Sequence, residues 1–243
     1  MRSKPPFVSR GDTSPEGGGG RAPSFDNIQS AIQSAGLAFR GGFHPGAEEL
    51  PEGATAKTII MLGFTGKAQW PGFAASPEAS DGEPHPLDRW SYRVVSKLAR
   101  DIGARAFFPF TGPPFMPFIR WAMKAEPVYP SEIGMLIHPN FGLWHAWRGA
   151  LAFDEKLDLP PRDDRPRPCD ACKEKPCLSA CPVGAFAGRG AYDVGKCNAH
   201  IRKLEGSDCM TLGCRARRAC PVGADHQYTR EQAAFHMKSF RGG

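Results

Sequence analysis

Residues 168–182 read PCDACKEKPCLSACP, with the spacing Cys169-x2-Cys172-x4-Cys177-x3-Cys181-Pro182. A second group has the spacing Cys197-x11-Cys209-x4-Cys214-x5-Cys220-Pro221. These are all eight cysteines of a chain of 243 residues. One cubane iron–sulfur cluster needs four thiolates, and a Cys-Pro pair closes the ligand runs of bacterial two-cluster sequences. The pattern therefore predicts two [4Fe–4S] clusters and a protein that transfers electrons.

The same pattern predicts how the cysteines are shared. In two-cluster sequences the fourth cysteine of each run binds the other cluster. One predicted ligand set is Cys169, Cys172, Cys177 and Cys220. The other predicted set is Cys181, Cys197, Cys209 and Cys214. Because the spacers of four and five residues are longer than usual, the number of ligands is better founded than their pairing.

Three other uses of the cysteines are disulfides, structural zinc and free buried thiols, and the clustering of the cysteines in the sequence argues against the last. Disulfides are disfavoured, because no signal peptide is recognisable and a chain of this length buries a core without cross-links. Structural zinc usually pairs two short Cys-x2-Cys motifs, and the chain has one. The absence of a long apolar run also argues against a membrane span. We therefore expect a cytoplasmic protein with reduced thiols.

The positive charge is concentrated near the cysteines. The formal net charge is +6, and residues 161–243 contain 15 Lys and Arg against 9 Asp and Glu. A basic segment can bind nucleic acid. The alternative we favour is that Arg215, Arg217 and Arg218 offset the negative charge of the clusters.

Periodicity and turn signals predict the elements of the remaining chain. Ser24 is a predicted helix N-cap, and the run Thr58–Phe64 is apolar throughout, as in a buried strand. Residues 67–86 are predicted to form a long loop, and residues 134–138 and 144–153 a hairpin around the turn 139–142. The other predicted elements are strands at 37–43 and 105–110 and helices at 87–102, 115–124 and 229–240.

These elements indicate an α+β protein in three parts. Residues 1–22, rich in Gly, Pro and Ser, are predicted to be a disordered tail. Residues 23–160 are predicted to form an α+β domain with a largely antiparallel mixed sheet. Residues 161–243 are predicted to be a small ferredoxin-like domain that carries both clusters and ends in a helix.

Two stretches resemble a known superfamily. The run IHPNFGLW at 137–144, continued by residues 146–149, resembles the signature of CblC-type cobalamin-processing proteins, and LDLPP at 157–161 also fits. The order of a Gly-x-Trp hairpin, an acidic-proline linker and two clusters is similar to that of epoxyqueuosine reductases and reductive dehalogenases. This resemblance implies a nitroreductase-related fold in residues 23–160 that binds cobalamin or another corrinoid.

The resemblance also implies a corrinoid site. Its residues here would be His138, Phe141, Trp144 and Arg148. In that family the hairpin packs on the corrin face, and the position of Arg148 matches an arginine linked to glutathione-dependent dealkylation. Trp144 and Trp147 lie three apart, so on a strand they point to opposite faces, and we expect Trp144 to line the cavity.

The predicted function is an iron–sulfur oxidoreductase that passes electrons through two clusters to a corrinoid or a corrinoid-bound substrate. One alternative is a ferredoxin-like carrier that docks a partner enzyme, and another is a tRNA-modifying reductase. The expected electron donor is a ferredoxin, flavodoxin or reductase. No catalytic acid is identified, because residues 110–114 lack the aspartate of the turn Asp-x-Ala-Pro in epoxyqueuosine reductases.

Overall fold

The computed structural model describes residues 24–50 and 53–242. The predicted tail 1–22 lies outside the described residues. The strands are β1 (Ala38–Phe43), β2 (Thr58–Thr65), β3 (Arg105–Phe107), β4 (Tyr129–Pro130), β5 (Leu136–Ile137), β6 (His145–Phe153), β7 (Phe186–Gly188) and β8 (Ala191–Tyr192). The helices are α1 (Phe25–Ser34), α2 (Trp70–Ala74), α3 (Pro77–Ser80), α4 (Pro86–Asp101), α5 (Phe118–Ala125), α6 (Pro168–Ala171), α7 (Pro176–Ser179), α8 (Val194–Ile201), α9 (Ser207–Leu212), α10 (Arg215–Arg218) and α11 (Arg230–Gly242).

A four-stranded antiparallel sheet with the order β1-β2-β6-β3 organises residues 38–153. Strand β2 is almost entirely buried, as its apolar run predicts. Ile60 and Leu62 pack on one face with α1 and α4, and Ile59 and Met61 pack on the other face with α5. Helix α1 begins at the predicted cap, because the Ser24 hydroxyl accepts a hydrogen bond from the amide of Asn27. The molecule is thus a mixed α/β structure with antiparallel sheets.

Strand β6 contains a bulge at the end that approaches the cysteines. Leu62 pairs with Gly149 and Gly63 pairs with Trp147, so Arg148 is an extra residue without a partner across β2. A bulge of this kind redirects the side chains that follow it. Trp147 consequently packs on the α5 face, whereas Arg148 reaches Asp88 of α4 on the opposite face.

The predicted hairpin of residues 134–138 and 144–153 is wrong. Strand β5 pairs with β4, and β6 pairs with β2 and β3, so the two segments belong to different sheets. The bridge between His138 and Gly142 lies within the turn that connects them. The reason is that β6 is apolar on both faces at its far end, so it is buried best as an inner strand. The predicted loop 67–86 is also wrong in part, because it contains α2 and α3.

The cysteine segment shares its core with the rest of the chain. Ile133, Ile137 and Leu143 form one buried cluster with Cys169 and Cys220. Helix α11, predicted at 229–240, then returns to α2 beside the four-stranded sheet. Phe235 packs there against Trp70 and Phe73, with ring centroids 5.2 and 5.3 Å apart. Among the described residues no helix is long and apolar enough to cross a membrane.

Two glycines allow the backbones of these two parts to touch. Gly142 has a φ of +55°, and a Cβ atom built on it would overlap the carbonyl of Val222. A Cβ atom on Gly223 would likewise overlap the backbone of Phe141 and Gly142. The turn that follows His138 is therefore fitted to the chain directly after Cys220-Pro221.

We expect Gly142→Ala to destabilise the protein more than Gly36→Ala. Gly36 also has a positive φ, +73°, but nothing lies within 4 Å of its Cβ position. Both variants incur backbone strain, whereas only the first adds an overlap, which costs about 1–3 kcal/mol more. Anaerobic urea unfolding followed by tryptophan fluorescence measures the difference. Equal losses of unfolding free energy in the two variants would show that the turn accommodates the added methyl group without further destabilisation.

Candidate iron–sulfur centre and adjoining polar cluster

The structure gathers four cysteines of the second predicted set around one cavity. The cavity lies between α8, α9, α10 and the chain that follows Cys181. Its cysteines are Cys181, Cys197, Cys209 and Cys214. We call this set the outer quartet, because α8, α9 and α11 separate it from solvent and it lies away from the sheet.

The first predicted set also lies together. Burial raises the pKa of the Cys177 thiol, and the nearby thiols of Cys220, Cys169 and Cys172 raise it further. Cys169 and Cys220 are buried against Ile133 and Ile137. We call these four residues the inner quartet. Each quartet thus draws cysteines from both sequence runs.

The chemistry of the donors fits iron–sulfur clusters better than the alternatives. All eight cysteines lie in the described residues, and none forms a disulfide. Four thiols bound one cavity, and four thiolates are the ligands that one cubane cluster needs.

Burial governs the protonation of these thiols. It raises the pKa of Cys209, Cys214 and Cys220 above the usual value. Backbone amides act in the opposite direction: those of Ala216 and Arg217 lower the pKa of Cys214. The amide of Ala185 donates to Cys181 Sγ at 3.3 Å. Amides directed at cysteine sulfur are the groups that stabilise bound clusters and adjust their potential.

The three arginines of α10 have separate partners. Asp208 accepts hydrogen bonds from Arg215 at 2.7 and 2.8 Å and from Arg218 at 2.8 Å. Arg217 donates to the carbonyl of Leu143 at 2.6 Å. Its guanidinium lies 4.3 Å from the centroid of the Trp144 ring. Two of the cations predicted to offset cluster charge are thus partly neutralised by Asp208, and the third joins α10 to the chain before β6.

A buried polar cluster lies beneath the turn 138–142. Arg40 donates to both carboxylate oxygens of Glu126, at 3.0 and 2.7 Å, and to the carbonyl of Phe64 at 2.9 Å. It also lies 3.1 Å from His145 Nδ1. Trp147 Nε1 donates to Glu126 at 2.9 Å. These contacts join β1, β2, β6 and the end of α5.

The two histidines of this cluster are neutral. Burial is the main cause that lowers the pKa of His145 far below its usual value and that of His138 to about 3. The nearby Arg40 charge lowers both further. Burial also raises the pKa of Glu126, against the effect of Arg40. His145 therefore accepts from Arg40 at Nδ1 and donates through Nε2 to the carbonyl of Leu136 at 3.0 Å.

His138 has a structural role in the turn. Its Nδ1 accepts from the amides of Asn140 and Phe141 at 3.0 and 3.3 Å, and its ring stacks on Phe141 at 4.5 Å. The ring is 5% exposed, and Nε2 lies 3.8 Å from Glu126. Both ring nitrogens are thus directed at protein groups.

The four residues of the predicted corrinoid site are buried or half-buried against other protein groups. His138 and Phe141 lie together, and Phe141 also contacts His226. Trp144 is 1% exposed and packs against Arg217 and Tyr228, and its place in a corrinoid site stays a prediction. Arg148 pairs with Asp88 at 3.4 Å.

Sequence reasoning missed the two residues at the centre of the polar cluster, Arg40 and Glu126. One signal was available for Arg40, because a charged residue interrupts the predicted strand 37–43. Glu126 follows a helix and gives no such signal. His145, to which the motif assigns no role, links Arg40 to Leu136.

Comparisons with known proteins yield structural neighbours alone. No family profile matches the chain, and no curated protein matches its sequence. One similar structure is an epoxyqueuosine reductase with an epoxyqueuosine-modified tRNA-Tyr stem loop, 14% identical with a TM-score of 0.47, covering 86% of this chain and 68% of that chain. The Bacillus subtilis enzyme, with its catalytic loop swung out of the active site, is 14% identical with a TM-score of 0.47, covering 84% and 66%. The Streptococcus thermophilus enzyme is 14% identical with a TM-score of 0.49, covering 81% and 65%. The chain therefore spans about two thirds of the length of these proteins, and so distant a likeness assigns no activity.

The buried ion pair leads to a stability prediction. Glu126→Gln leaves the Arg40 guanidinium buried without its counter-charge, which costs about 3–5 kcal/mol of unfolding free energy. The matched control is Asp101→Asn, which removes the exposed pair between Lys97 and Asp101. That change costs less than about 1 kcal/mol. Anaerobic urea unfolding compares the two, and equal small effects would contradict a buried, charged pair.

Proposed function

We propose that this protein is an iron–sulfur oxidoreductase that carries two [4Fe–4S] clusters. The observation that supports this most strongly is the cavity bounded by Cys181, Cys197, Cys209 and Cys214. These residues hold one cluster, and the inner quartet holds the other. Such clusters take up and release single electrons at low potential.

The protein's own residues position and insulate these groups. The Ala185 amide orients Cys181 through its hydrogen bond. Leu143 and Ile137 exclude water from the inner quartet on the side of the sheet. Arg217 ties that side to α10 through the Leu143 carbonyl. The inner quartet is thus the one directed at the sheet domain, where the electron acceptor binds.

Metal analysis tests the proposal. After anaerobic reconstitution we expect about eight iron and eight sulfide per chain, with broad absorbance bleached by dithionite. Cys220→Ala should retain about four iron, because one cluster loses a ligand and the other keeps all four. Stoichiometric zinc without sulfide would refute the proposal.

Double variants test the sharing of ligands. Cys172→Ala added to Cys220→Ala should remove no further iron, because both cysteines belong to the inner quartet. Cys209→Ala added to Cys220→Ala should remove nearly all iron, because it damages both quartets. The reverse pattern would show that each run binds its own cluster.

The proposal also concerns the group that accepts electrons from the clusters. The resemblance of residues 137–149 supports a corrinoid held by the nitroreductase-related part of the chain, and the ferredoxin-like part then supplies it with electrons. A modified base in tRNA is the second candidate acceptor. It is supported by the excess of basic residues in 161–243, but residues 110–114 offer no carboxylate as proton donor.

Direct binding separates the two acceptors. The holoprotein should change the absorption spectrum of added hydroxocobalamin with a dissociation constant of tens of micromolar or lower, about −6 kcal/mol or better in free energy. An epoxyqueuosine-containing tRNA stem loop, added to the reduced protein, should be released unchanged. Conversion of that base without a spectral change of cobalamin would replace the corrinoid by the tRNA substrate.

A further inference from the structure

The helices around the outer quartet present an unusual surface to solvent. Leu204 is 87% exposed, and Phe240 is 37% exposed. Val194 and Leu212 are further exposed apolar residues of the same helices. Among the exposed cations of this region are Lys196, Arg202, Lys203, Lys238 and Arg241. We call these residues together the α8–α11 surface.

Few carboxylates offset these cations. The acidic residues of α8, α9, α11 and the adjoining turns are Asp193, Glu205, Asp208 and Glu231, and Lys196 lies 3.6 Å from Asp193. Of the five cations, the other four have no carboxylate within 4 Å among the described residues. This arrangement differs from α10, where Asp208 pairs with Arg215 and Arg218. The surface therefore keeps its positive charge available to a partner.

Specific contacts hold the surface together. Arg202 at the end of α8 donates to the carbonyl of Arg241 in α11 at 3.2 Å. Phe240 lies 6.4 Å from Tyr192 by ring centroids. Cations from the two helices are consequently fixed on one side of the molecule, with Phe240 beside them.

The surface lies directly over the outer quartet. Cys197 is in α8 next to Lys196, and the phenol of Tyr192 interacts electrostatically with the Cys197 thiol. Met237, which precedes Lys238 in α11, lines the cavity of the quartet together with His200. The exposed ring of Phe240 lies near Tyr192, and Tyr192 in turn interacts with Cys197. Cys169 and Cys220 of the inner quartet are instead buried against the sheet domain.

We propose that the α8–α11 surface docks a small acidic electron-donor protein and that electrons enter the molecule through the outer quartet. The inference rests on the proposed function. The donor loses one electron, the group held by the outer quartet gains it, and no bond is formed or broken. Complementary charge speeds such encounters, and a small apolar centre is sufficient for a transient interface.

The exposed apolar residues favour a protein partner over nucleic acid. Phosphate contacts are made by lysine and arginine and by polar groups. Leu204, Leu212 and Val194 would gain nothing from a phosphate backbone, whereas burial against an apolar residue of a protein partner stabilises a complex. An acidic donor with an apolar rim around its redox group matches both features.

The test compares a charge-reversed holoprotein with the wild type. The variant is the triple change Lys203→Glu, Lys238→Glu and Arg241→Glu, and the control is Lys156→Glu, an exposed residue after β6 at the far end of the sheet. The probe is an acidic flavodoxin. Its affinity in the oxidised form is measured by fluorescence anisotropy, and its electron transfer in the reduced form by stopped-flow absorbance.

At low salt we expect the triple variant to bind flavodoxin at least about tenfold more weakly and to be reduced about tenfold more slowly. Lys156→Glu should behave as the wild type, and added salt should weaken wild-type binding. Dithionite should reduce all three proteins at the same rate, with equal iron and sulfide contents.

If the triple variant binds flavodoxin as tightly as the wild type and is reduced by it as fast, the docking proposal is wrong. The same holds if the triple variant loses tenfold in affinity for a short RNA hairpin but not for flavodoxin, because the surface would then bind nucleic acid. Failure of the proposed function is a different result: the wild type would contain no iron and sulfide after reconstitution, whatever its affinity for flavodoxin.

Discussion

The structure depends on the contact between the turn at Phe141–Gly142 and the chain at Val222–Gly223. Both glycines are needed because the two backbones approach too closely for a side chain. The contact lies three residues before the start of β6 and directly after Cys220-Pro221. It therefore determines how far the sheet lies from the inner quartet. Arg217 reinforces the same junction through the carbonyl of Leu143.

The polar cluster around Arg40 holds the other side of this turn. A buried ion pair contributes little net stability, because desolvation offsets the attraction between the charges. Its effect here is geometric. Arg40 contacts the end of β2 through Phe64, the end of α5 through Glu126 and the start of β6 through His145. His138 then accepts hydrogen bonds from the backbone amides of the turn. The cluster thus fixes the turn against which the cysteine segment packs.

The proposed clusters join sequence segments that no short-range contact would join. Cys220 lies with Cys169 and Cys172, and Cys181 lies with Cys197 and Cys214. Since each quartet spans both runs, neither can assemble until the whole segment has closed. Metal binding is then coupled to folding of residues 169–220. The same closure exposes α8 and α11 on the outside of the outer quartet, and their cations lie beside it for that reason.

The sequence by itself determined the elements whose signals are local. The apolar run of β2, the Ser24 cap of α1 and the periodicity of α4 and α11 predicted those elements close to their observed bounds. Cysteine spacing also predicted the two groups that lie together. The partners of β6 were decided only by the tertiary structure, because a strand apolar on both faces pairs equally well with any neighbour. The same is true of Arg40 and Glu126, which are 86 residues apart and interact only when β1 and α5 pack on the same sheet. Trp144 shows the physical reason most clearly. The sequence predicts it at the start of a strand, whereas in the structure it lies just before β6. Its ring is covered by Arg217 and Tyr228, more than seventy residues later.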